Sequence, residues 1–259
     1  MPPHECTYMN ALKGVWEVPP SVLQLPSQEV HIWCASLEQS AFCLQQLAAT
    51  LSPDEQERAA RFHFEQHRQN FMISRGVLRA ILGRYVEVAA DRLQFSYGSW
   101  GKPALVEEIN PGGVYFNLAH SQTLAVYAIA PTPTIGIDIE FIRPMPNSEK
   151  LVERWFSTTE KAAFAVLSPD QRQDAFFRCW TRKEAYLKAI GTGLMYSLDY
   201  FDVSLAPEEP ARILSIHGDN QLAAHWMLQD LHLESGYAGA FAVEGQGWQV
   251  KFWQWHSET

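Results

Sequence analysis

Apolar residues along this chain change period several times, and the changes divide it into elements. The short run Val30-His31-Ile32-Trp33-Cys34-Ala35 is almost continuously apolar and predicts a first strand. A helix is predicted over about 39–49. Leu51-Ser52-Pro53-Asp54-Glu55 then starts another, with serine as N-cap, proline in the first turn and glutamate three residues on, as in a capping box. Phe62, Phe64, Phe71, Leu78, Leu82 and Tyr85 supply the apolar positions of the helical stretch that follows. Strand-like segments come next at 93–97, 104–106, 114–118, 124–130 and 134–141. A second cap, Leu167-Ser168-Pro169-Asp170-Gln171, opens a helix that carries Trp180, Glu184 and Lys188, and Gly191 supplies its stop. Further strands are predicted at 200–205, 211–216, 224–233, 237–243 and 248–255.

The two Leu-Ser-Pro-Asp caps echo each other. Ser121, Ala125, Tyr127 and Ala128 are echoed at nearly the same offset by Ser235, Gly239, Phe241 and Ala242. Two echoes in the same order favour a tandem duplication over chance. The expectation is an α+β fold of two similar subdomains related by a pseudo-twofold, with antiparallel sheets packed against helices. Its parts are an arm at 1–28, a first subdomain at 29–133 and a second at 134–259, with a cleft between them.

Composition narrows the partners. With 259 residues, 47% hydrophobic and 19% charged, the chain can bury a sizeable core. A net charge of −9 argues against general nucleic-acid binding, and any anionic substrate must meet a local cluster of cations. No apolar run reaches the roughly 20 residues of a membrane span. The opening Met1-Pro2-Pro3-His4-Glu5 has no signal-peptide pattern, so a cytoplasmic location is expected. Cys6, Cys34, Cys43 and Cys179 show no metal-binding spacing and are expected to be reduced.

The candidate chemistry lies in two segments. In the strand Gly136-Ile137-Asp138-Ile139-Glu140, the two acids are two apart and share a face. In the helix around Trp180-Thr181-Arg182-Lys183-Glu184-Ala185-Tyr186-Leu187-Lys188, Glu184 and Lys188 lie one turn apart. Each alone reads as an ordinary solvated pair. If the helix crosses the strand's acidic face, three carboxylates converge beside a lysine. Such hard oxygen donors suit Mg²⁺, and Mg²⁺ suits a substrate bearing phosphates.

Both segments, with Gly191-x-Gly193-Leu194, Gly101-Lys102-Pro103 and Phe116-Asn117-Leu118-Ala119-His120-Ser121, occur in an order that resembles the phosphopantetheinyl transferases of the surfactin-synthetase-activating type. The resemblance covers about 30–205. It implies the fold of that family and transfer of the 4′-phosphopantetheine arm of coenzyme A to a serine of an acyl or peptidyl carrier protein, releasing adenosine 3′,5′-bisphosphate. It also implies Mg²⁺ held by Asp138, Glu140 and Glu184, with Glu184 as base and Lys188 at the leaving phosphate. Arg58, Lys102, Pro103, Asn117, His120, Ser121, Lys183 and Lys188 are the implied coenzyme A contacts. Arg75 and Arg79 are weaker candidates that could equally pair with acids. A monomer is expected, because the length is about that of two α+β units. A coenzyme A-binding or carrier-binding module without activity is the main alternative, and a nucleotide phosphohydrolase ranks last.

Overall fold

The long apolar strands of this chain assemble into two sheets that share one connectivity, described here from a computed structural model over residues 15–98, 101–192 and 197–257. The first half contains β1 (Glu29–Ser36), α1 (Ala41–Ala49), α2 (Pro53–Ala60), α3 (Glu65–Val86), the hairpin β2 (Phe95–Tyr97) and β3 (Pro103–Leu105), then β4 (Tyr115–Ser121) and β5 (Leu124–Ala130). The second contains β6 (Ile135–Phe141), α4 (Ser148–Trp155), α5 (Thr158–Ala165), α6 (Pro169–Ile190), the hairpin β7 (Phe201–Val203) and β8 (Ile213–Ile216), α7 (Asn220–Ala223), β9 (Trp226–Asp230) and β10 (Tyr237–Glu244). In the first sheet β1, β5 and β4 are consecutive neighbours, all antiparallel, and in the second β6, β10 and β9 repeat that arrangement. The last strand, β11 (Gln249–Gln254), returns to the first sheet and pairs in parallel with β1.

The two halves share this strand connectivity, but the caps that correspond in it are not the ones the sequence echo pairs. Ser52 caps the eight-residue α2, whereas Ser168 caps the 22-residue α6. The partner of α2 is α5, which is also eight residues long and opens on a capping box of Ser157 and Glu160. Glu55 and Glu160, the acids of those two boxes, are both almost fully buried and both reach cations on the following 22-residue helix. Glu55 takes Arg75 at 2.9 Å and Arg79 at 2.6 Å, and Glu160 takes Lys183 at 2.7 Å. Arg79 also donates to the carbonyls of Ala90 and Leu93, and Lys183 to those of Leu198 and Phe201. Each half is therefore pinned by an acid–base pair whose spare donors satisfy a loop carbonyl, as buried charges require.

Two further expectations are corrected. Phe62 and Phe64 do not continue a helical stripe, since α2 stops at Ala60 and α3 begins at Glu65; the two rings are 37% and 69% exposed. The stretch 148–165, to which the apolar periodicity assigns no element, forms α4 and α5, the second opened by the Ser157–Glu160 capping box. Of the arm, residues 1–14 lie outside the described residues, as does Cys6. The remainder is stitched down: Trp16 is buried, its indole donates to the His232 carbonyl at 2.6 Å, and Glu17 pairs with Trp253 of β11. Cys34, Cys43 and Cys179 are buried. No helix among the described residues is long and apolar enough to cross a membrane.

The two sheets meet where β4 lies beside β6. Asn117 Oδ1 on β4 accepts the Ile137 N–H at 2.9 Å, and Ser121 Oγ accepts the Phe141 N–H at 3.0 Å. Helix α6 then lies across β6 at very short range. A Cβ placed on Gly136 would sit 2.1 Å from the Ala185 carbonyl oxygen and 2.3 Å from the Ala189 nitrogen. Only glycine permits that approach.

Gly136→Ala is accordingly expected to cost about 3 kcal/mol, read as a shift in the urea midpoint at unchanged slope, because backbone must move to admit the methyl. Stability equal to the parent would contradict the close crossing. Lys183→Met strands Glu160 in the core and is expected to cost about 3–5 kcal/mol, much of it recovered when Glu160→Gln is added. Additive losses in the double variant would show that the two do not act as a pair.

Candidate active site

The crossing at Gly136 decides which side chains meet. Because Ala185 and Ala189 pack on Gly136, their helix predecessors Glu184 and Lys188 are delivered to the neighbouring strand positions of β6. Lys188 Nζ donates to Asp138 Oδ1 at 2.7 Å. Asp138 is only 6% exposed, and its Oδ2 is buried with no hydrogen-bond partner among the described residues. Burial pushes the Asp138 carboxyl above the usual carboxylate range; the Lys188 ammonium opposes this and Glu140 adds to it.

Glu184 is half-buried, and its carboxyl is pushed up to about 7, first by desolvation and then by the Asp138 charge. Lys188 pulls the other way and Glu140 adds to the rise. Glu140 is also half-buried; Ser121 Oγ donates to it at 3.3 Å and Arg143 pairs with it at 3.6 Å. Among the described residues no three or more acid, histidine or cysteine side chains are grouped so that they could hold a metal ion.

Beside this cluster lies a cavity of about 590 Å³, lined by Tyr97, Lys102, Pro103, Phe116, Ala189 and Gly191 among others. It runs from the β2–β3 hairpin to the C-terminal end of α6. Its volume suits a cofactor-sized ligand, for which pockets of roughly 300–1,000 Å³ are usual. Lys102 Nζ donates to the carbonyls of Ile135 at 3.0 Å, Lys188 at 2.9 Å and Pro133 at 3.4 Å. Burial lowers that ammonium to about 8.

The remaining sequence candidates fall in different places. His120, at the end of β4, keeps an exposed edge, while desolvation and then the charges of Lys188 and His67 lower its imidazole. It therefore stands near the cluster. Asn117 and Ser121 hold β6 through backbone hydrogen bonds, as described. Arg58 is exposed on α2 with its guanidinium over the Phe71 ring at 5.4 Å, and it shares no hydrogen bond or ion pair with the acids among the described contacts. Lys183 is a correction: it is fully buried and its ammonium is engaged by Glu160, Leu198 and Phe201, so it faces the core and not a cofactor. The helix period explains this, since Lys183 is one residue, about 100°, from Glu184. Arg75 and Arg79 pair with Glu55, as the weaker reading of them allowed. Gly193 and Leu194 lie outside the described residues.

Sequence reasoning passed over Tyr97 and Arg143. Tyr97 lines the cavity and its hydroxyl accepts from Arg75 at 2.9 Å. Arg143 reaches Glu140 across the end of β6. Neither carries a motif; both are recruited by tertiary packing.

Residues 134–242 match the family description "4'-phosphopantetheinyl transferase superfamily", and residues 33–132 match "4'-phosphopantetheinyl transferase, N-terminal". The chain is 44% identical over 244 residues to 4'-phosphopantetheinyl transferase HetI of Nostoc sp., covering 94% of this chain and 100% of that protein. It is 33% identical over 180 residues to a putative 4'-phosphopantetheinyl transferase of Synechocystis sp., covering 70% of this chain and 71% of that one. With 4'-phosphopantetheinyl transferase Sfp of Bacillus subtilis it shares 30% identity over 155 residues, which is 60% of this chain and 66% of Sfp. A match along essentially the whole of HetI, with both halves recognised separately, means that the chain belongs to the 4'-phosphopantetheinyl transferase family.

Proposed function

We propose that this protein transfers the 4′-phosphopantetheine arm of coenzyme A to a serine of an acyl or peptidyl carrier protein, acting as a cytoplasmic monomer. The observation that carries the reading is the convergence of Asp138, Glu140, Glu184 and Lys188 where α6 crosses β6, beside a cavity of about 590 Å³. In this reading the site falls at the junction of two subdomains, 29–133 and 134–259. The family membership supports the reaction, and the simultaneous presence of the acids and the lysine disfavours a purely binding role.

The donor set fits a divalent cation such as Mg²⁺. Asp138 Oδ2 is a buried oxygen with no partner among the described residues, and Glu184 is desolvated beside other carboxylates. Asp138, Glu140 and Glu184 are the residues that hold the ion in this reading. When bound, it neutralises charge on the pyrophosphate of coenzyme A. Glu184 takes the proton of the attacking serine hydroxyl. A bond forms between serine Oγ and the phosphorus that bears the pantetheine arm, and the bond from that phosphorus to the oxygen of adenosine 3′,5′-bisphosphate breaks. Lys188, held against Asp138, places its positive charge where that leaving phosphate accumulates negative charge.

Incubation with coenzyme A, Mg²⁺ and apo carrier proteins is expected to add the mass of one phosphopantetheine arm. Asp138→Ala or Glu184→Gln should lower the rate by about a thousandfold, within the range for removal of a proton-transfer or charge-stabilising group, with the far-ultraviolet spectrum unchanged. No mass gain on any of several carriers would sink the reading, and coenzyme A binding without transfer would favour the binding module instead.

The Glu184 shift sets a sign for stability. Its folded value of about 7 lies above the ordinary 4.5, so the stability it contributes is present below 4.5 and is lost as pH rises through 7. Thermal unfolding of the metal-free protein should decline with pH across that window, and Glu184→Gln should flatten the decline. A parallel decline in both proteins would remove the assignment of the shift to this carboxyl.

A further inference from the structure

Lys102 is held by a set of partners that a phosphate-binding lysine does not need. The turn before β3 fixes its backbone: the Gly98 N–H donates to the Lys102 carbonyl at 3.0 Å, the Gly101 N–H donates to Gly98, and Gly101 has a φ of 76°, in the left-handed region that favours glycine. Its side chain then reaches across to the second half. The ammonium donates to Pro133 and Ile135, on either side of the junction into β6, and to Lys188 in the last turn of α6. Among the described residues it has no carboxylate partner, and burial alone lowers its proton affinity.

The Lys188 carbonyl needs such a donor. The last four carbonyls of an α-helix have no partner within the helix. Gly191, the left-handed C-cap, gives its N–H to Leu187, and Lys102 supplies the donor for Lys188. A cation at this end also suits the negative pole of the helix. One ammonium therefore ties together the hairpin that walls the cavity, the strand that carries Asp138 and Glu140, and the helix turn that carries Lys188.

We propose that Lys102 is a positioning residue: a latch between the β2–β3 hairpin and the end of α6 that sets the width of the coenzyme A cavity and the placement of Lys188. The proposal rests on the transferase reading for the identity of the ligand, but the latch is built of protein atoms alone. A direct phosphate contact, which the resemblance implies, makes different demands. A phosphate accepts a guanidinium at least as well as an ammonium, whereas three carbonyls converging on one point cannot be matched by a planar fork.

Hydrogen–deuterium exchange of the unliganded protein is the test. Lys102→Met should raise exchange by about tenfold or more, together, at 101–105, 133–137 and 187–191, because the latch holds all three closed. With coenzyme A and a carrier, the same variant should raise KM for coenzyme A about tenfold and lower kcat by less than about threefold, and Lys102→Arg should not rescue KM. Unchanged exchange in the unliganded variant, or full rescue by arginine, would overturn the latch in favour of a phosphate contact. If the methionine variant fails to fold, Lys102→Gln, which keeps two N–H donors, is read by the same exchange pattern. Because that measurement uses no substrate, its outcome is separable from any failure of the transferase reading.

Discussion

Everything chemical in this protein depends on the contact between α6 and the backbone of Gly136. A helix normally stands off a sheet by the thickness of two side-chain layers. Here one residue without a side chain lets helix backbone approach strand backbone, within 2.1 Å of where a Cβ would be. At that range, residues flanking the contact on each element cannot avoid one another. Asp138 and Lys188 form their ion pair for this reason, and Glu184 acquires its raised carboxyl from the same crowding. A single glycine thus converts two unremarkable amphipathic segments into an acidic cluster with one lysine.

The desolvation that makes the cluster useful also makes it costly to fold around. Asp138 is buried with one oxygen unpartnered, and Lys188 satisfies only the other. Natural cores seldom retain such an atom without a task, since an unpaired buried acceptor costs about 1–3 kcal/mol. The cost is borne by structure elsewhere. Each half is anchored by a capping-box glutamate that reaches into the next long helix, and the two sheets are fastened at β4 and β6 through Asn117 and Ser121. The rigid frame and the strained centre are built from opposite uses of the same chemistry: carboxylates that find full partners, and one that does not.

Much of this was legible in the sequence, for identifiable reasons. The acidic strand and the long helix stood out because their periods are clean, 2 and 3.6, and because Gly136 and Gly191 punctuate them. Strands that are apolar on both faces, such as β5, were equally plain. The register of the repeat was not, because Ser-Pro-Asp is a good start for any helix and says nothing of its length; only the buried partners of Glu55 and Glu160 reveal which caps correspond. Phe64 misled because it stands seven residues before Phe71, at helical spacing, although α2 stops at Ala60 and α3 begins only at Glu65; Phe62, two residues from Phe64, has no such spacing to it. Lys183 misled in another way. It sits in a motif beside Glu184, yet one residue along a helix points to another face, and a conserved-looking string conceals that rotation.

The return of β11 to the first sheet has a bearing on how the chain is made. Strand β1 is complete on one side once β5 is available, but its other edge waits for residues 249–254. Between them lies the whole of the second half. During synthesis the first sheet must therefore persist with a long, apolar edge uncovered, the kind of edge that recruits other chains. The pairing of Glu29 with Gln249 through Cys34 with Gln254 closes that edge last and spans most of the sequence, so its loop-closure entropy is large. The N-terminal segment, bonded to β11 through Glu17 and Trp253, adds its own strap over the seam. The first sheet thus takes its last strand from the far end of the sequence, so its outer edge closes only once the chain beyond the second half is present.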